Sequence, residues 1–148
     1  MGITTALCNT FKQELLQGLH AFGTDTFKLA LIKSGESGTY GPATTNYSDV
    51  TGNSDEIGDT GSYSAGGSPL ANVAVTGGSG ASTAFVDFDN VQFTSATIDA
   101  NGAIIYNSSD SNKAVAIIDF GSTQSSDAGT FTVTMPAPGT GTAIIRIA

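Results

Sequence analysis

The groups able to move protons, attack carbonyls or bind soft metals are few: one histidine, His20, one cysteine, Cys8, and five Lys or Arg side chains in 148 residues. A Ser-His-Asp hydrolase would have to use His20, and no serine lies in the G-x-S-x-G elbow that would present it to such a base. One His and one Cys cannot assemble a zinc site within one chain. Carboxylates are more numerous. Asp87 and Asp89 flank Phe88 and would project from one face of a strand, an arrangement open to a hard cation or an acid/base pair. No third ligand accompanies them, and the alternation with Ala84, Val86 and Phe88 is that of a half-solvated strand. Asp49, Asp55, Glu56 and Asp59 form the densest acidic cluster but lack the ordered Asp, Asn and Gly spacing of a calcium loop, so they are expected to be solvated. Gly77-Gly78-Ser79-Gly80 has neither the Lys-Ser/Thr ending nor the following helix of a phosphate loop and suits a hairpin tip. These residue types point away from an enzyme, a cofactor or a metal centre, and towards a chain that holds a shape and presents a surface.

The elements that would position such a surface follow from periodicity. Ile3, Leu7, Phe11, Leu15, Leu19 and Phe22 recur every three or four residues, which predicts an amphipathic N-terminal helix over 1–23, capped by Thr4 or Thr5 and ended by Gly23. Its apolar face, Leu7, Phe11, Leu15 and Leu19, needs a sheet or another subunit to cover it. Cys8, among apolar neighbours, is expected to be a buried, inert thiol. From Thr26 onward the period becomes two. Strands are expected near 27–33, 70–75, 84–88, 91–98, 103–106, 113–120, 130–135 and 143–147, with Asn101-Gly102 as a tight hairpin and longer loops at 107–112 and 121–129. The predicted fold is a single mainly β domain over 1–148, in which 25–148 form an antiparallel β-sandwich or open barrel of seven or eight strands. A weakly apolar stretch at 38–67 reads as a long loop with room for one short strand, and loops of that length are usually functional or mobile. Its Tyr40, Tyr47 and Tyr63 either form a recognition surface with the surrounding Ser, Thr and Asn or pack back onto the sheet.

Thirteen acidic residues against five basic give a net charge of −8, which repels phosphate backbones and anionic headgroups, so neither nucleic acid nor a membrane is expected as a partner. No apolar run approaches a transmembrane helix, and no signal-peptide order opens the chain, so synthesis in a cytoplasm without export is expected.

Sequence style adds a further expectation. The opening Gly2-Ile3-Thr4-Thr5-Ala6-Leu7-Cys8-Asn9-Thr10-Phe11-Lys12, then Thr26-Phe27-Lys28-Leu29-Ala30-Leu31, Ala84-Phe85-Val86-Asp87-Phe88, Gly102-Ala103-Ile104-Ile105-Tyr106-Asn107-Ser108 and the closing Ala143-Ile144-Ile145-Arg146-Ile147 resemble small virion-associated structural proteins of tailed bacteriophages. The resemblance spans nearly the whole chain and weakens over 34–64. It implies a capsid decoration or cement protein on the outer head surface, a homo-oligomeric dimer or trimer whose partner is the major capsid protein. The alternative is a tail-associated or receptor-binding module that recognises host glycan or protein. In either setting Arg146 is placed to pair with acidic residues of a partner, and the long loop is a candidate contact.

Overall fold

Alternating apolar residues from Thr26 onward need a pleated surface on which to bury one face, and the chain provides two. In a computed structural model describing residues 1–148, the elements are β1 (Gly2–Ile3), β2 (Ala6–Leu7), α1 (Asn9–Leu16), β3 (Phe27–Lys33), β4 (Thr39–Tyr40), α2 (Ser48–Gly52), β5 (Ser68–Pro69), β6 (Ala74–Thr76), β7 (Ala84–Asp87), β8 (Val91–Asn107), β9 (Lys113–Val133) and β10 (Ile145–Ile147). The fold is mainly β. An antiparallel sheet runs in the order β2-β9-β8-β3-β5, a smaller antiparallel sheet in the order β10-β7-β6, and β1 pairs with β4 in parallel. Neither sheet closes into a barrel, and both contribute to one core in a sandwich-like arrangement.

Burial explains the central strands. Leu29 to Ile32 of β3, Gly102 to Asn107 of β8 and Ala114 to Ile117 of β9 are buried on both faces. Residues opposite one another in an antiparallel pair share a face, so the β3–β8 register separates two rows. Phe27, Leu29 and Leu31 lie with Asn107, Ile105 and Ala103; Lys28, Ala30 and Ile32 lie with Tyr106, Ile104 and Gly102. The first row meets aromatic cover from the N-terminal region: Phe22 stacks on Phe27 at 4.5 Å, and Phe11 meets Phe22 edge-on at 6.2 Å. The second is covered by the 38–67 segment, whose Tyr47 stacks on Tyr106 at 4.4 Å.

Four expectations are corrected. The apolar stripe of 1–23 is not one helix, since Ile3 and Leu7 lie in β1 and β2, Phe11 and Leu15 in α1, and Leu19 and Phe22 in turns beyond Gly18, which takes a left-handed φ of +76°. Sheet edges compete for the first residues: Gly2, Thr4 and Cys8 donate their N–H groups to the carbonyls of Gly38, Tyr40 and Val115. Thr4 and Thr5 therefore cap nothing, and Cys8 occupies the N-cap without a side-chain hydrogen bond.

Nor do Asn101-Gly102 and 121–129 end strands. β8 and β9 run through both, forming one long hairpin turned at 107–112 as expected, and register shifts absorb the glycines. Asp119 pairs with Gly102 and Gln124 with Ala100, so residues 120–123 bulge out opposite Asn101. Gly102 is needed for close approach: a Cβ there would lie 2.4 Å from the Ile118 carbonyl oxygen. Of the expected strand at 70–75 only Ala74 and Val75 are in a strand, β6, while residues 70–73 connect it to β5, with Leu70 buried.

The stretch 38–67 is the fourth correction. Besides one short strand, β4, it carries an unexpected second helix, α2, and pairs locally with the body through Ile32 with Glu56 and Asn46 with Lys113.

Candidate functional site

Of the four carboxylates expected in solvent, Asp59 is exposed as expected, whereas Asp55 is buried and Glu56 and Asp49 are half-buried, and all four accept hydrogen bonds that support the long segment. Asp55 is fully buried and accepts from the N–H groups of Ser37 at 3.0 Å and Gly38 at 2.8 Å and from the Tyr40 hydroxyl at 2.6 Å, with Lys33 Nζ at 3.6 Å. Burial alone would raise its pKa, but hydrogen bonds from Tyr40, Gly38 and Ser37 outweigh it and hold the carboxyl down at about 2. Glu56 accepts from the Tyr47 hydroxyl, from the Tyr63 hydroxyl at 2.8 Å and from Gly66 N–H at 2.6 Å. Asp49 accepts from Thr45 N–H at 2.8 Å, and Asp59 from Ala65 N–H at 2.7 Å.

The three candidate tyrosines are thereby placed. Tyr40 and Tyr63 are buried and Tyr47 half-buried, and each phenol donates inward to Asp55 or Glu56. Burial, with the neighbouring carboxylate, pushes Tyr40 up to about 12 and raises Tyr47 and Tyr63 further. They are neutral hydrogen-bond donors inside the fold, and of the two expected arrangements it is the packing back onto the sheet that occurs, with Tyr47 against Tyr106 and Tyr63 against Phe93. Asp87 ends β7, and Asp89, exposed beyond the strand, has its carboxylate held by the Asn72 amide. No group of three or more His, Cys, Asp or Glu side chains is placed to hold a metal ion.

His20 is buried between aromatic rings, 4.9 Å from Phe11 and 6.3 Å from Phe27 between centroids. Its Nδ1 faces the Asn107 amide nitrogen at 3.1 Å, and its Nε2 faces Glu14 Oε2 at 2.9 Å. An amide nitrogen can only donate, so Nδ1 accepts and Nε2 carries the proton to Glu14. Both ring nitrogens are occupied by structural partners. Asn107 also donates to Asp25 at 2.8 Å and accepts from Ser109 N–H, and Asp25 is lowered by the Ala21 N–H and then by Asn107. This chain of bonds pins the 17–25 turns onto the sheet.

The remaining candidates converge on one groove. Between α1 and the β10-β7-β6 sheet lie two adjoining hollows of about 120 and 340 Å³ that share Leu15, Ile145 and Ile147. The smaller is lined by hydrophobic residues alone, with Phe22 and Leu15 on one wall and Val86 on the other. The larger adds Leu7, Phe11 and Leu16, and its rim carries Lys12 and Arg146. Of the five large hydrophobics left exposed, three line this groove, Leu16 at 89%, Val75 at 61% and Ile147 at 58%, whereas Met1 and Leu19 do not; exposed side chains of that kind are usually scattered. Leu19, 40% exposed, follows in the turns after α1. Leu7, Phe11, Leu15 and Arg146 are thus brought together, although no single helix face carries them. That Phe22, Val75, Ile145 and Ile147 join them in one groove is not legible in the sequence, because only the packing of the small sheet against α1 makes them neighbours.

No protein-family model, curated protein or solved structure matches the chain. No helix is long and apolar enough to cross a membrane.

Proposed function

We propose that this protein is a structural component of a tailed-bacteriophage virion, a decoration or cement protein that binds the major capsid protein on the outer head shell as a symmetric dimer or trimer. The observation that carries the reading is the exposed apolar groove between α1 and the small sheet, on a chain whose one histidine is fully engaged in holding the fold. A surface of that kind serves attachment to another protein. Repetition suits it: many copies on one shell need little affinity each, because neighbouring contacts add through effective concentration. The net charge of −8 keeps free copies apart before assembly.

A tail or receptor-binding role on glycan was the competing expectation, and it rested on Tyr40, Tyr47 and Tyr63 being presented outward. Their phenols serve the interior instead, so the head-shell reading is preferred. In this reading the protein performs no chemistry and takes no cofactor.

Electron cryomicroscopy of particles assembled with and without the protein tests this. Added density repeated over the head lattice is the expected outcome. Density confined to a tail or a single vertex, or none on the particle, overturns the decoration role.

A further inference from the structure

The groove has a directional element beside its apolar lining. β10 is an edge strand: Ile145, Arg146 and Ile147 pair with Val86, Phe85 and Ala84 of β7 on one side, and no backbone hydrogen bond from outside the sheet reaches the other. That free side borders the larger hollow, facing Leu15 and Leu16 of α1. An unpaired edge next to an apolar wall is the geometry of strand addition, in which main-chain hydrogen bonds give affinity and alternate side chains give specificity.

Charge identifies the occupant. Of the five cationic side chains, Lys33 is paired with Asp55 and Lys113 with Asp110, whereas Lys12, Lys28 and Arg146 form no ion pair; Lys28 lies on β3 away from the groove, and Lys12 and Arg146 both line it. Two free cations at one rim of a chain of net charge −8 make this the basic spot on an acidic molecule. A second copy is a poor fit, because β10 laid antiparallel on β10 about a twofold axis brings the two Arg146 side chains together across the new pair. We infer that β10 accepts an extended segment of the shell protein in which acidic and apolar residues alternate, added as a fourth strand to the small sheet. Successive side chains of such a strand point to opposite faces. Its apolar residues lie beside Ile145 and Ile147 and reach Leu15, and its carboxylates lie on the opposite face beside Arg146, with Lys12 at the rim. The inference rests on the head-shell reading for the identity of the partner and on β10 and the groove for its chemistry.

The test uses the whole protein with two short synthetic peptides, one alternating Glu with Val and the other Lys with Val. The Glu peptide is expected to bind, to slow amide exchange at Ile145, Arg146 and Ile147, and to weaken as salt rises. The Lys peptide is expected to bind at least about tenfold more weakly. The variants Lys12→Glu and Arg146→Glu, both at exposed side chains, are expected to reverse that order. Equal binding of the two peptides, binding without protection of β10, no binding, or a dimer of the free protein that already protects β10 overturns the inference. A parallel shell-binding measurement separates the two levels. Wild-type protein that fails to bind shells but takes the Glu peptide removes the head-shell reading and leaves the groove chemistry. Shell binding undiminished in Arg146→Glu removes the groove and leaves the reading.

Discussion

Asp55 shows how much one side chain does in a segment that composition marks as loop. It gathers two main-chain N–H groups, the Tyr40 hydroxyl and Lys33 around one fully buried carboxylate, joining the exit of β3 to β4 and to the end of α2. Hydrogen bonds to the ionised form lower its pKa from 3.8 to about 2 against the opposing cost of burial. The folded state therefore binds the proton less readily than the unfolded chain, and the stabilisation is complete above the ordinary carboxyl value and is lost as pH falls through about 2. It amounts to about 2 kcal/mol. Asp55→Asn leaves Lys33 without its partner and turns an amide NH₂ towards the donors of Ser37 and Gly38. We expect it to lower the unfolding free energy by about 3 kcal/mol at neutral pH. In urea titrations the gap between wild type and variant should narrow as pH is taken from 4 towards 2. A gap independent of pH would mean that the carboxylate charge contributes nothing.

At the level of elements, the β8–β9 hairpin organises the molecule. Where β9 is flanked by β2 and β8, at Ala116 and Ile117, it is buried on both faces; beyond Ile118 it is an edge, and most of residues 119–130 are exposed. Protection against amide exchange should divide at that point. Amides of β3, of 102–107 and of 114–117 are expected to exchange only through global unfolding, and those of 119–130 at least about a hundredfold faster through local opening. Uniform protection along β9 would show that its outer half is covered. The same contrast decides what was legible beforehand. β3 was readable to the residue because Phe27, Leu29 and Leu31 recur at a period of two in a largely apolar run between turn signals. The turn at 107–112 was readable because its polar residues interrupt two such runs. The continuity of β8 and β9 was not, since Gly102 and Gly121 mimic turns when they serve close approach and a bulge. The helix was overextended for a related reason: a stripe at three- and four-residue spacing through Leu19 and Phe22 is also produced by two strands, a short helix and a turn that all face one core. Half of the groove followed from that stripe, and its other wall depends on a sheet pairing that no local pattern records.

Across the whole molecule these layers meet at Cys8. It is fully buried where β2 passes into α1, its N–H donates to Val115 of β9 at 2.9 Å, and Phe11 follows one turn later in the same core. Burial first, then the nearby Asp49 and Glu14 carboxylates, raises its thiol to about 12, so a reagent that requires thiolate finds almost none in the folded protein at neutral pH. Exposing it requires α1 to leave the large sheet, which also dismantles the α1 wall of the groove at Leu15. Labelling of Cys8 by a disulfide reagent therefore reports whether that wall is rigid. If α1, the 17–25 turns and the sheet form one cooperative unit through the Glu14–His20–Asn107 bonds, labelling should be limited by global unfolding, and its urea dependence should carry the full equilibrium slope. Wild-type protein is expected to behave so. His20→Ala removes the Glu14–His20 and His20–Asn107 bonds, leaving Asn107–Asp25 as the side-chain bond from β8 to the turns, and should let Cys8 label through a partial opening with a shallower urea dependence while the global transition persists. Labelling of wild type that is already fast and insensitive to urea would show that α1 opens on its own, and a groove wall that opens on its own could not present a preformed seat for a strand.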